Sequence, residues 1–334
     1  MARKVLINEL SWSKTRHERF SECRRAYYLH YYLSWGGWDL TSERWRRQLY
    51  ILKKLSNRFT WSGSVVHAAI RGTLMAVHHG RQLDAARLIE RVHRVMRADF
   101  AFSRERRYWG DRIRKEFSGL VEHEYAEEID PAAWRANWEN VQQALQWFFQ
   151  SQWIERARGL PKERWLEVDV IDFEKSIFRL EGVKVFAVPD FAFVDHDGST
   201  VIVDWKTGKP REGYDDQLLA YGLYLESRYG RPLESMKAVL VYLNGGVEQT
   251  VQLDSAAFER FKAKFSESSG QMKALLRDVE RNVPLPESAF PMTADLASCA
   301  RCVFRRACRR EQAVREAQVE PKPLQVEPSN EPSP

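Results

Sequence analysis

Cysteine is scarce in this chain: four residues in 334, namely Cys23, Cys299, Cys302 and Cys308. So few thiols do not make a disulfide-stapled scaffold, and the crowding of three of them into residues 299–308 favours metal ligation in a reducing compartment. Long apolar runs are missing too. The longest clean one, Ala238 to Leu243, falls far short of a bilayer span, and Met1-Ala2-Arg3-Lys4 is not followed by the apolar stretch of a secretory leader. These absences predict a cytoplasmic protein with no membrane anchor. The sequence also has no internal repeat.

What is present is ordinary globular material. With 44% hydrophobic and 29% charged residues, the composition excludes wholesale disorder and fibrous architecture. Fifty-two Lys and Arg against 46 Asp and Glu leave a net charge of +6, which is compatible with a polyanionic partner and does not demand one.

Apolar positions recur at helical intervals over residues 83–97 and 131–157, inside a mostly helical region spanning 1–160. From Arg164 the pattern changes to short β-branched and aromatic runs, over 165–173, 176–180, 183–194 and 200–206. Gly182 and Asp197-Gly198 punctuate them as turns, which predicts a sheet entered through hairpins. A helix through Asp216 to Tyr221, then a strand over 237–244, predicts a crossover onto the same sheet. Residues 255–281 read as another helix leading to the cysteines. Five of the 13 prolines fall between Pro321 and Pro334, so 312–334 reads as a disordered tail.

One hairpin concentrates chemistry. If Asp195 to Ser199 form its loop, Val194 faces Thr200, and counting back sets Asp190 opposite Asp204 with Cβ atoms about 5 Å apart. Alternation puts Lys206 on the face of Asp204, and Val201, Val203 and Trp205 in the apolar layer behind. Adjacent carboxylates repel unless a proton or cation relieves them. Oxygen ligands suit Mg²⁺ or Mn²⁺, and such an ion can activate water against a phosphodiester while Lys206 offsets developing charge. A surface charge ladder uses the same residues. Glu167, on the preceding run, is a further candidate acid and equally an outward-facing strand residue.

Cys299-x-x-Cys302, Cys308 and the distant Cys23 together offer four soft ligands, for an iron–sulfur cluster or for zinc; only one Cys-x-x-Cys pair is present, where zinc sites more usually have two. Arg301, Arg305, Arg306, Arg309 and Arg310, with Arg24 and Arg25, make a basic patch suited to phosphates. Tyr27, Tyr28, Tyr31 and Tyr32 fit either stacking on unpaired bases or helix packing.

Pro189-Asp190, the hairpin and Asp204-Trp205-Lys206-Thr207-Gly208 resemble the catalytic core of the PD-(D/E)XK nuclease superfamily. Gln217-Leu218-Leu219-Ala220-Tyr221 resembles the Gln-x-x-x-Tyr motif of its RecB-like branch, and Gly63-Ser64-Val65-Val66-His67 that branch's metal-binding histidine motif. Phe20 to Tyr28 around Cys23, with the C-terminal trio, resembles the four-cysteine iron–sulfur members, among them CRISPR-associated exonucleases and the AddB nuclease domain. Arg24 stands where a proline often follows that cysteine.

The resemblance implies an α/β fold with a restriction-endonuclease-like central mixed sheet flanked by helices. A helical region over 1–160 would carry Cys23 and His67, the core would span 161–250, and a helix with the cysteine cluster 251–311. An iron–sulfur lobe would join the chain ends. His67, Asp190, Asp204 and the Trp205 carbonyl would bind Mg²⁺ or Mn²⁺, Lys206 would assist the attacking water, and Gln217 and Tyr221 would hold DNA or the Lys206 neighbourhood. Cys23, Cys299, Cys302 and Cys308 would hold a [4Fe-4S] cluster. The implied activity is a DNA exonuclease of repair, recombination or CRISPR adaptation, working on DNA ends or single strands, with a helicase or CRISPR adaptation proteins as partners. Its rivals are a non-catalytic DNA-binding subunit of a nuclease–helicase complex and a zinc-stabilised nucleic-acid-binding protein.

Overall fold

The computed structural model describes residues 7–110, 118–168, 177–210 and 214–319. A short strand, β1 (Ser11–Trp12), precedes α1 (Lys14–Glu22) and α2 (Arg24–Tyr28), which runs into a π-helical turn over Leu29–Leu33. Then come α3 (Arg44–Lys54), α4 (Arg58–His78), α5 (Ala85–Arg104), α6 (Val121–Glu124), α7 (Pro131–Gln150) and α8 (Gln152–Gly159). Side chains with a free oxygen start several of them: Ser13, Asn57, Asp84 and Asp130 each accept a first-turn N–H, of α1, α4, α5 and α7.

The strands follow: β2 (Trp165–Glu167), β3 (Ile177–Leu180), β4 (Val183–Phe186), β5 (Phe191–Val194) and β6 (Thr200–Lys206). Helix α9 (Asp215–Tyr229) leads to β7 (Met236–Tyr242) and β8 (Val247–Val251). The chain then forms α10 (Ser255–Lys273), a small ribbon of β9 (Leu276–Asp278) and β10 (Val283–Pro284), α11 (Leu296–Arg301) and α12 (Glu311–Val319).

The main sheet has the order β2-β5-β6-β7-β8, in which β6 and β7 pair in parallel and the other neighbours antiparallel. A parallel neighbour needs a crossover, and α9 supplies it. Side-chain alternation sends β5 and β6 into two separate cores. Phe191, Phe193, Val201, Val203 and Trp205 pack with residues of α4, α7 and α8, whereas Ala192 and Ile202 pack with α9 and α10. Helix α9 lies tight on α10: a Cβ at Gly222 would come within 2.9 Å of the Phe258 ring. This is an α/β architecture with a helical N-terminal region and mixed sheets flanked by helices.

Four elements differ from the sequence reading. The run 183–194 is two strands: β4 joins β1 and β3 in a second sheet, and the chain crosses to the main sheet through Ala187–Asp190. Pro189 has no N–H to give a ladder, which suits it to that break. The helix over 131–157 divides at the extended residue Ser151. The helix from Ser255 stops at Lys273, and the chain turns into the β9–β10 ribbon. The tail begins as helix α12, anchored by buried Val314 and by Glu311 bridging Arg306 and Arg315; residues 320–334 lie outside the described ones, as do 169–173 and Ser176 of the strand runs. None of the described helices is long and apolar enough to cross a membrane.

Candidate active site

The β5–β6 hairpin closes through Asp195, whose N–H donates to the Ser199 carbonyl at 2.8 Å, with Gly198 at φ +83°. Only a residue without a Cβ takes that backbone freely. The register is Val194 to Thr200, Phe193 to Val201, Ala192 to Ile202 and Phe191 to Val203. Asp190, the residue before β5, therefore falls beside Asp204. Its Oδ2 accepts the backbone N–H of Trp205 at 2.8 Å, and its Oδ1 lies 3.1 Å from Nδ1 of His67, which α4 brings across from the other half of the chain.

Asp204 is almost wholly buried. Its Oδ1 accepts the Tyr221 hydroxyl at 3.2 Å, and its Oδ2 lies 2.5 Å from Nζ of Lys206. That short contact is a buried ion pair, so the ammonium is the charged partner of Oδ2. Lys206 also donates to Oε1 of Gln217 at 2.9 Å, and its Nζ sits 4.1 Å from the ring centre of Tyr214. Gln217 in turn donates to the Tyr221 hydroxyl. Positions 214, 217 and 221 share one face at the start of α9. Tyr214 was not singled out in the sequence; its place three residues before Gln217 was the available signal.

Burial is the main reason that the Asp204 carboxyl pKa rises to about 6, with repulsion from Asp190 adding to it while Lys206 and His67 pull the other way. Burial works against a charge on His67, but the Asp190 carboxylate outweighs it and holds the imidazole at about 9. The Tyr221 hydroxyl is pushed well above its usual range by burial and then by Asp204. Each carboxylate thus meets a cation, Asp190 that of His67 and Asp204 that of Lys206, and burial with repulsion from Asp190 still leaves Asp204 raised.

Among the described residues, no three His, Cys, Asp or Glu side chains converge as a ready-made metal cage. Two carboxylates are nevertheless enough for an ion such as Mg²⁺ that keeps several waters. The buried Asp204 carboxylate, beside that of Asp190, offers oxygen ligands that fit such an ion.

Glu167 is not part of this constellation. It faces the α9 side of the sheet two strands away from β6, where it accepts from the hydroxyls of Tyr224 and Tyr229 and lies 3.4 Å from Nε of Arg228. It clamps β2 to α9. Glu167→Ala is expected to cost about 2–4 kcal/mol by stranding those donors, read as a lower urea midpoint, with the Lys206 and Asp204 contacts unaltered.

All four cysteines are free and line one cavity of about 340 Å³, which brings Cys23 to the C-terminal trio. Among the described residues the four do not converge as a ready-made metal cage, and burial raises the Cys302 and Cys308 thiols to about 11 and about 12. The N-terminal helices nonetheless meet the C-terminal region, where Arg25 donates to the Phe290 carbonyl from its side chain and to that of Pro291 from its backbone N–H.

Four of the seven arginines of the basic patch are paired with acids. Arg305 pairs with Glu127 at 2.6 Å, Arg306 with Glu124 at 2.7 Å and Arg301 with Glu22 at 3.6 Å, while Arg25 pairs with Glu287. The tyrosines after Cys23 are core residues: Tyr27, Tyr28 and Tyr32 are buried, and Tyr31 lies under the Arg16 guanidinium.

A family model described as the PD-(D/E)XK nuclease superfamily matches residues 11–309. The chain belongs to the PD-(D/E)XK nuclease superfamily. The match covers the superfamily as a whole and does not single out the iron–sulfur RecB-like branch. No curated protein matches the sequence. Members of this superfamily are typically phosphodiesterases that use a divalent metal on nucleic acid.

Proposed function

We propose that this chain is a metal-dependent DNA nuclease, an exonuclease working on ends or single strands in repair, recombination or CRISPR adaptation. The observation that carries the reading is the pair of adjoining carboxylates: Asp204, buried and 2.5 Å from the Lys206 ammonium, with Asp190 close enough to raise its pKa. In this reading Asp190, Asp204, the Trp205 carbonyl and His67 hold Mg²⁺ or Mn²⁺. When bound, the ion supplies a polarised phosphodiester and a water acidic enough to attack near neutral pH.

Lys206 stands where an attacking water or a phosphate oxygen needs a positive charge, and its position is fixed from three sides by Asp204, Gln217 and the Tyr214 ring. An ammonium preorganised in this way stabilises developing charge without reorganising during reaction. Tyr221 and Gln217 act as positioning residues: one donates to Asp204, the other accepts from Lys206.

We also infer that the four cysteines hold a [4Fe-4S] cluster that clamps the chain ends. Supporting this, backbone N–H groups of Ala26 and Phe304 each donate to a cysteine sulfur, of Cys23 and Cys302, at 3.4 Å. Arg19 and Arg310 line the same cavity, each with a buried Nε that has no hydrogen-bond partner among the described residues. Such a lining suits an anionic metal–thiolate group. DNA, with a helicase or CRISPR adaptation proteins, is the proposed partner set.

Digestion of end-labelled single- and double-stranded DNA tests the assignment. The intact protein is expected to cut with Mg²⁺ or Mn²⁺ and to stop with a chelator, and Lys206→Ala to lower the rate about 10²–10³-fold. Equal rates for both proteins would place the activity elsewhere.

A further inference from the structure

Helix α4 runs opposite to β6 along the site. His67 stands level with Asp190, and one turn earlier Gly63 passes so close to the end of β6 that a Cβ there would lie 3.1 Å from Oγ1 of Thr207. One turn earlier again comes Phe59, about 40° round the helix from Gly63 and about 80° from His67. The sheet has ended by that level, and the ring is 62% exposed. Its ring contact among the described residues is the Arg58 guanidinium, 4.3 Å from its centre. At ~1.5 Å per residue Phe59 and His67 are ~12 Å apart along the helix axis, a span of roughly three to four stacked nucleotides.

We propose that Phe59 is a substrate-positioning residue at the mouth of the cleft, stacking on an unpaired nucleobase a few nucleotides from the scissile phosphate. Every base has a π face, so the contact is indifferent to sequence. It does require a base released from its duplex neighbours, so Phe59 would make the site prefer single strands. Arg58 supplies a positive charge beside the ring, matched to the adjoining phosphates. The inference rests on the nuclease reading and adds a specificity determinant to it.

The test uses the full chain and a labelled single-stranded oligonucleotide with chelator present, so that binding is read without cleavage. Phe59→Ala is expected to weaken binding about tenfold, Phe59→Trp to retain it, and blunt duplex binding to be the same for all three proteins. A single abasic site walked along the oligonucleotide is expected to cost the intact protein a similar factor at one position and to cost Phe59→Ala nothing there. The idea is overturned if Phe59→Ala binds single strands as tightly as the intact protein, if single-strand and duplex binding fall equally, or if Phe59→Trp is as weak as the alanine variant. If the intact protein cuts DNA while Phe59→Ala is unaffected, the stacking role alone falls; if it neither binds nor cuts nucleic acid, the nuclease reading falls with it.

Discussion

Asp204→Asn is expected to abolish cleavage and, in the absence of divalent metal, to make the protein more stable. The carboxyl of Asp204 has its pKa raised from 3.8 to about 6, chiefly by burial, so the folded state holds this proton more tightly than the unfolded chain. A raised pKa adds stability below the unfolded value and loses it as pH rises through the folded one. The asparagine variant cannot lose it. Its advantage should therefore be near nil at about pH 4, grow across the window to about pH 6, and level off on the order of 3 kcal/mol. Saturating Mg²⁺ should reverse the order, because an ion that binds only the folded state stabilises the intact protein by about 4 kcal/mol at a thousandfold excess over its dissociation constant. Cleavage should fall about 10³-fold or more. Urea titrations at pH 4, 6 and 7.5, with and without Mg²⁺, check both halves. A variant less stable than the intact protein at pH 7.5 without metal would show that Asp204 is a structural ion-pair member and not a strained ligand.

The second large effect is expected at the cysteines. Cys302→Ser should remove the broad visible absorption and most of the iron from anaerobically purified protein, and lower the melting temperature by roughly 10 °C or more. The magnitude follows from what the site joins. Cys23 lies between α1 and α2, Cys299 lies within α11 and Cys302 and Cys308 beyond it, and Cys23, Cys302 and Cys308 pack with Phe304, Leu49 and Val121 into one apolar cluster. Releasing a group there frees two ends of the chain together. Protein that is colourless as isolated and carries one zinc, with the same melting loss in the variant, would keep the clamp and replace the iron–sulfur cluster by zinc. Loss of no metal and no stability would remove the metal altogether.

The part of the site that could be read from the sequence is the part built by local rules. A loop from Asp195 to Ser199 sets the hairpin register, the period of two then separates Asp204 and Lys206 from Val203 and Trp205, and the period of the helix puts Gln217 and Tyr221 on one side. The parallel pairing of β6 with β7 followed from a helix between two strands. What escaped depended on distant partners. Glu167 looks like a third acid until Tyr224 and Tyr229 arrive from α9 to occupy it. The arginines near the cysteines look like a phosphate track until Glu124, Glu127 and Glu22 neutralise three of them. The tyrosines after Cys23 gave no sign that Phe290, far along the chain, would stack on Tyr28 at 4.5 Å and help bury the group. In each case the residue type was suggestive and the burial or ion pair that fixed its role came from across the fold.

The central claim is that Asp190 and Asp204 grip a divalent ion beside Lys206. Its most direct measurement is anomalous diffraction from crystals soaked in Mn²⁺. The account predicts a manganese peak at coordinating distance from both carboxylates and its loss in Asp204→Asn. A peak at other residues only, with the Asp190–Asp204 pair empty at saturating Mn²⁺, would contradict it.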